Sequence, residues 1–219
     1  MKILVTGGAG FIGSHACEYF AKRGAKVVAF DNLSRARLLG KKNAGTHYNW
    51  HYLSQFKNVK RLLGDIRRAD QLKRAMRGVD AVIHTAAQTA VTTSVVNPRA
   101  DFEMNAVGTF QVLEAARRCK RPPAVIICST NKVYGENVNK LPLRSRARRY
   151  TFGRAFRFGI SEDLGIDLCE HTPYGCSKLT ADIYAQDYAR LYGMKVGVFR
   201  MSCIYGTRQF GVEDQGWVA

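Results

Sequence analysis

The sequence is poor in acid: 17 Asp and Glu face 34 Lys and Arg over 219 residues, for a formal charge of +17. An excess of that size invites nucleic acid or another polyanion. The densest run, Lys140 to Phe158 (KLPLRSRARRYTFGRAFRF), has six arginines and no acid. No nucleic-acid motif frames it, so a solvated loop or helix face is the favoured reading and nucleic acid is disfavoured. Also lacking is any apolar run near the ~20 residues of a membrane span. The chain opens directly on KILVTG, without the apolar stretch and small-residue cleavage site of a signal peptide. A cytoplasmic location with no membrane partner is expected. The cysteines Cys17, Cys119, Cys128, Cys169, Cys176 and Cys203 are scattered, and none stand at metal spacing. They read as reduced thiols rather than a disulfide framework, and no metal site is expected. Internal repeats and low-complexity stretches are absent, and the 46% hydrophobic content suffices for one ordinary core.

What is present is alternation. Apolar runs of strand length (KILVTG, KVVAFD, NVKRLLGD, DAVIHTAA, AVIICST, KVGVFRMS) are separated by stretches of helical periodicity. The first helix, FIGSHACEYFAKRG, places Phe11, Ile12, Ala16, Tyr19 and Phe20 on one face and ends at Gly24. A second begins at Ala69 or Asp70. A long one, NPRADFEMNAVGTFQVLEAARRC, is opened by Pro98. YGCSKLTADIYAQDYARLYG forms the last. The strands are continuously apolar, which predicts an α/β fold: a doubly wound, Rossmann-type parallel sheet with helices on both faces. Two connections, Asn32 to Lys57 and Gly135 to Thr172, are long enough to carry function or small elements of their own.

The first strand meets the first helix at TGGAGFIG, with Gly8-x-Gly10-x-x-Gly13. Glycines there permit a tight turn and let the backbone approach a pyrophosphate seated on the helix N-terminus. Gly7, Gly10, Phe11, Ile12 and Gly13 are therefore candidate cofactor contacts. Asp31, followed by Asn32, ends the second strand, where an acid bonds the adenosine ribose and repels a 2′-phosphate. NAD is expected over NADP. Arg35 nearby is only a weak argument for NADP while the Asp is kept. A glycine turn with no ligand is the competing reading. Asp65 and Ile66 of GDIR are placed to meet an adenine. In HTAAQ the small Ala86 and Ala87, with Gln88, allow close approach.

Tyr174 and Lys178 stand four apart in PYGCSK and share a helix face. An ammonium near a phenol favours phenolate, so Lys178 is expected to lower the Tyr174 pKa. A tyrosine so poised takes a proton from a sugar hydroxyl while hydride leaves the same carbon. STNKVYG adds the hydroxyls of Ser129 and Thr130 at the end of the fifth strand.

In chain order TGGAGFIG, DNLS, GDIR, HTAAQ, MNAVGT, STNKVYG and PYGCSK resemble the extended short-chain dehydrogenase/reductase family of nucleotide-sugar epimerases and dehydratases, over the whole chain. The resemblance implies an NAD enzyme in which Thr130 orients substrate beside Tyr174, Lys178 also holds the nicotinamide ribose, and Asn105, Ser129 and Tyr174 itself join the cofactor contacts. In the family's sugar 4,6-dehydratases the two residues after the Thr are acids that perform the elimination. Here they are Asn131 and Lys132, so epimerisation is expected instead. VTTS (Val91 to Ser94), NPRADFEMN, STNKVYG and YGTRQFGVEDQGWV are most similar to the CDP-paratose 2-epimerases, also called CDP-tyvelose 2-epimerases. That similarity implies a CDP-hexose substrate, transient oxidation at C2, and substrate contacts at Thr93, Asn131, Arg208 and Gln209. A turn or cap cluster is the other reading of Thr92 to Ser94. Members of that family run longer, so residues 1–219 are read as an NAD-binding Rossmann domain with the start of a substrate region at about 200–219. Most of a small C-terminal domain is expected to be missing, and the activity of this stretch alone is left open. Left open too are a UDP-hexose 4-epimerase, a non-enzymatic Rossmann protein that binds RNA or another polyanion, and a homo-oligomer.

Overall fold

The computed structural model describes residues 1–35 and 46–210. The GVEDQGWV part of the terminal motif lies outside them. The elements, in chain order, are β1 (Lys2–Thr6), α1 (Phe11–Lys22), β2 (Lys26–Asp31), α2 (Thr46–Tyr52), β3 (Val59–Leu63), α3 (Ala69–Ala75), β4 (Ala81–His84), α4 (Val91–Val96) and α5 (Pro98–Phe102). A π-helical turn (Glu103–Val107) joins α5 to α6 (Gly108–Arg117), and β5 (Ala124–Thr130) runs into a kinked 3-10 stretch (Asn131–Lys140). A hairpin of β6 (Leu143–Arg146) and β7 (Arg149–Phe152) precedes α7 (Thr172–Tyr192) and β8 (Val196–Met201).

Six strands pair in the order β3-β2-β1-β4-β5-β8, all parallel. The order reverses between β1 and β4, which opens a crevice at the carboxyl ends of those strands. Alternation within β1 divides the core. Leu4 faces Phe30, Leu72, Val112, Leu113 and Tyr188 on one side of the sheet. Ile3 and Val5 face Cys17, Ala21, Trp50 and Leu53 on the other. This is the doubly wound architecture expected from the strand pattern.

Two expectations about helices change. The buried face of α1 is Gly13, Ser14, Cys17 and Ala21, because small side chains let the helix lie close on the sheet. Ala16 and Phe20 pack at its margin, while Tyr19 is half exposed beneath the Arg23 guanidinium, 3.5 Å from its ring centre. The long helix from Pro98 is one path interrupted by the π turn, where Asn105 and Ala106 are buried.

Carboxylates with arginine partners set an acid limit on stability. Glu114 accepts from Arg117 Nε at 2.6 Å and from the Tyr188 hydroxyl at 2.9 Å, tying α6 to α7. Arg117 above all holds its carboxyl down, to about 2. Asp65 is held at about 2, chiefly by Arg67. Both values lie below the unfolded range near 4, so the folded chain binds fewer protons there. Their contribution is complete above about pH 4.5 and is lost as pH falls toward 2. Asp31 and Asp101, pushed up mainly by burial, act in the opposite direction. Glu114→Gln is expected to flatten the fall of melting temperature between about pH 4.5 and 2. An unchanged slope by circular dichroism would remove Glu114 from this role.

Candidate active site

Thr130 ends β5, and its Oγ1 accepts the Lys132 N–H at 3.3 Å and donates to Asn131 Oδ1 at 3.3 Å. Tyr174 and Lys178 stand one turn apart on α7, and all three are less than a tenth exposed. They border one cleft of about 560 Å³ together with the glycine turn. That cleft unites Gly7, Gly10, Phe11, Ile12, Gly13, Asp31, Asp65, Ile66, Ala86 and Gln88 with the β5 end. Asn32, Ala87, Ser129, Thr93, Asn131 and Gln209 line it as well. Strand ends far apart in sequence are thus brought to the topological switch point.

The turn is built for close approach. Gly7 has φ +71°, and a Cβ there would stand 2.6 Å from the Ala86 nitrogen. A Cβ on Gly13 would stand 2.1 Å from the Gly7 oxygen. Gly8, read above as the first glycine of the fingerprint, instead lets the turn lie on Ala29, where a Cβ would come within 2.9 Å. The cradle fits a dinucleotide pyrophosphate at the start of α1. Asp31 braces the same turn: its carboxylate accepts the Ala9 N–H at 3.0 Å and the Leu33 N–H at 2.8 Å. Burial pushes its carboxyl up, and those amide bonds oppose the shift.

Several assigned residues have other partners. Asp65 is gripped by Arg67, Nη2 to Oδ2 at 2.7 Å, and by Asn32 Nδ2 at 3.0 Å. Ile66 packs against the Cα of Gly108, where a Cβ would lie 2.5 Å from its Cδ1. Asn105 lies behind the cleft wall, 1% exposed. Its amide joins Gln88, Asp101 and Ser177, accepting the Gln88 N–H at 2.8 Å and donating to Ser177 Oγ at 3.1 Å. It braces the cleft from behind. Arg208 is also outside the cleft. Its guanidinium bonds Glu18 at 2.8 Å and His15 at 2.6 Å and lies 4.1 Å from the Tyr52 ring centre. Glu18 on α1 offers this cation the nearest acid, so the side chain turns to the outer helix.

The expected electrostatics of the pair also change. The Tyr174 phenol is pushed up, first by burial; hydrogen bonding with Thr130 opposes this and the Asp101 carboxylate adds to it. Lys178 does not lower it. Its Nζ donates to the Cys128 carbonyl at 2.7 Å, and burial depresses its own pKa to about 8. Burial, with Lys178 adding to it, also holds His84 neutral, at about 3, between the Thr6 and Thr109 hydroxyls.

Two buried networks escaped the sequence reading. Asp101 bonds Ser177 and Gln88. Asp182 accepts from Ser129 Oγ at 2.8 Å and from Arg200 Nε at 3.0 Å. Each had a helical signal: Asp101 is four residues before Asn105, and Asp182 four after Lys178.

Residues 3–218 match the model of the NAD dependent epimerase/dehydratase family. The chain belongs to that family. It is 41% identical to the CDP-paratose 2-epimerase of Salmonella typhi, over 100% of this chain and 62% of that protein. It is 36% identical to a putative UDP-glucose 4-epimerase of Methanocaldococcus jannaschii, over 94% of this chain and 57% of that protein. Among solved structures, the Thermus thermophilus UDP-glucose 4-epimerase in complex with NAD superposes with a TM-score of 0.72 at 32% identity, covering 95% of this chain and 57% of that one. The family is one of NAD-dependent enzymes acting on nucleotide sugars, and this chain spans less than two thirds of each of these relatives. Among the described residues no helix is long and apolar enough to cross a membrane.

Proposed function

We propose that this chain holds NAD and the proton-transfer groups of an epimerase that inverts C2 of a CDP-hexose of the paratose and tyvelose kind. The observation that carries this reading is the convergence of Thr130, Tyr174 and Lys178 on the glycine cleft, with Asn131 and Lys132 where an eliminating dehydratase needs acids. The 41% identity to the Salmonella protein supports C2 and a CDP-sugar.

NAD bound here would supply reversible hydride transfer, with the hydride returning to the opposite face of the oxidised sugar carbon so that the centre is inverted. Gly7, Gly10 and Gly13 give its pyrophosphate room, the N-terminus of α1 favours its charge, and Asp31 meets the adenosine ribose. Tyr174 takes the proton of the C2 hydroxyl and later gives it back, and Thr130 orients that hydroxyl. Lys178 holds the nicotinamide ribose, and Thr93, Asn131 and Gln209 contact the substrate.

Incubating the protein separately with CDP-paratose and UDP-glucose, and following the sugar by NMR, tests the reading. Formation of the C2 epimer from the CDP-sugar is expected. Exclusive C4 inversion of UDP-glucose would replace it with the 4-epimerase reading that the Methanocaldococcus relative supports. The cofactor site is tested separately. Asp31→Ala removes a charged hydrogen-bond partner, worth about 1.5–3 kcal/mol, so NAD affinity by calorimetry should fall roughly 10- to 150-fold. Unchanged affinity would detach Asp31 from the cofactor.

A further inference from the structure

Within the arginine-rich run, residues 143–152 are solvated as expected, but as a strand pair rather than a loop or helix face. They fold as the β6–β7 hairpin, with Ala147 and Arg148 in the turn. Its pairs are Leu143 with Phe152, Arg144 with Thr151, Ser145 with Tyr150, and Arg146 with Arg149. Paired residues share a face, and faces alternate along each strand. One face therefore carries Arg144, Arg146 and Arg149, and the other carries Leu143, Tyr150 and Phe152. Arg146 stands directly opposite Arg149, an arrangement that is unfavourable unless an anion lies over both. None of the arginines at 144, 146, 148, 149, 154 and 157 forms an ion pair among the described residues. No acid occurs between Lys140 and Phe158 to supply one locally. β6 is exposed throughout and β7 at Arg149 and Tyr150, and the hairpin is a separate sheet from the six-stranded one.

We propose that this arginine face docks on the phosphate backbone of a nucleic acid. Strand geometry sets the three stems within a patch of about 7 by 5 Å. A DNA duplex presents one negative charge per about 1.7 Å of axis, a density that matches the patch. Planar guanidinium forks pair with phosphate oxygens in bidentate fashion, which suits an all-arginine face. A two-stranded ribbon is also narrow enough to enter a major groove. A lipid surface fits less well, because the register turns Leu143, Tyr150 and Phe152 away from the arginines. The cations and the apolar groups cannot then meet one bilayer together.

The test is fluorescence anisotropy with a labelled duplex of about 20 base pairs, titrated between about 50 and 200 mM salt. The protein is compared with its Arg144→Gln, Arg146→Gln, Arg149→Gln triple variant. A control triple variant, Lys73→Gln, Arg77→Gln, Arg121→Gln, removes the same charge from exposed residues of a different groove, beside α3 and α6. The hairpin variant should bind at least about tenfold more weakly, with a log–log salt slope shallower by about 2–3. The control should keep most of the affinity. Substituting Lys at the three hairpin positions should restore the slope and guard against misfolding. Equal losses in both Gln variants would show diffuse attraction to a +17 chain and overturn the proposal. So would no binding at low salt, or binding to phosphatidylserine vesicles or polyglutamate in place of DNA.

Discussion

Tyr174→Phe is expected to lower the proposed epimerisation by about 10²–10⁴-fold, the range of a single acid–base group, and to leave NAD bound. The phenol sits at the cleft on α7 with its carbon ring buried. Phe keeps that ring and removes only the hydroxyl proposed to exchange the proton. The cradle of Gly7, Gly10 and Gly13 is untouched, so NAD released on denaturation should equal that of the unsubstituted protein. Because burial pushes the phenol up, it is protonated at neutral pH. Its base form grows as pH rises, and the rate of the unsubstituted protein should climb through the alkaline range. The variant's residual rate should lack that climb. Depression of Lys178 to about 8 adds a second titration in the same range, so Lys178→Met is the partner measurement. Normal turnover by Tyr174→Phe would sink the assignment of the proton to this residue, whatever the sugar proves to be.

Arg200→Met destabilises the fold by about 3–5 kcal/mol, the cost of leaving one member of a buried pair unmatched. Asp182 is 1% exposed, and Arg200 meets both its oxygens, at 3.0 and 3.3 Å. The same guanidinium donates to the Glu162 carbonyl at 2.9 Å and lies 5.0 Å from the Tyr134 ring centre. It therefore ties β8 to α7, to the turn after β5 and to the segment before α7. At this chain length the loss corresponds to roughly 6–20 °C in melting temperature. Ser129 and Gln186 would still donate to Asp182, but neither carries a charge. Adding Asp182→Asn should recover a large part of the loss, since it removes the orphaned carboxylate. If the double variant is as unstable as the sum of the singles, the pair is not the source of the effect.

Much of the frame was legible before any coordinates. The strands from β1 to β8 outside the hairpin, and the glycine turn, rest on patterns within a few residues of each other, and such patterns survive folding. The limits of that legibility lie at individual residues. Gly8 matched the spacing but serves the packing of the turn on β2. Asn105 matched a motif but spends its amide on Gln88, Asp101 and Ser177. Arg208, a substrate contact by family resemblance, is taken by Glu18, far away in sequence. In each case a partner absent from the local pattern decided where the side chain points.

By itself the sequence determined the order of the six sheet strands and the longer helices between them, the glycine turn with Asp31, and the one-turn spacing of Tyr174 and Lys178, because backbone propensity and helical or strand periodicity are local. Only the tertiary structure decided that Arg200 neutralises Asp182, that burial rather than Lys178 shifts the Tyr174 phenol, and that three arginines of a basic run share one hairpin face. Those outcomes depend on strand register and on how far each charge is withdrawn from water, and both are set by contacts between residues distant in the chain.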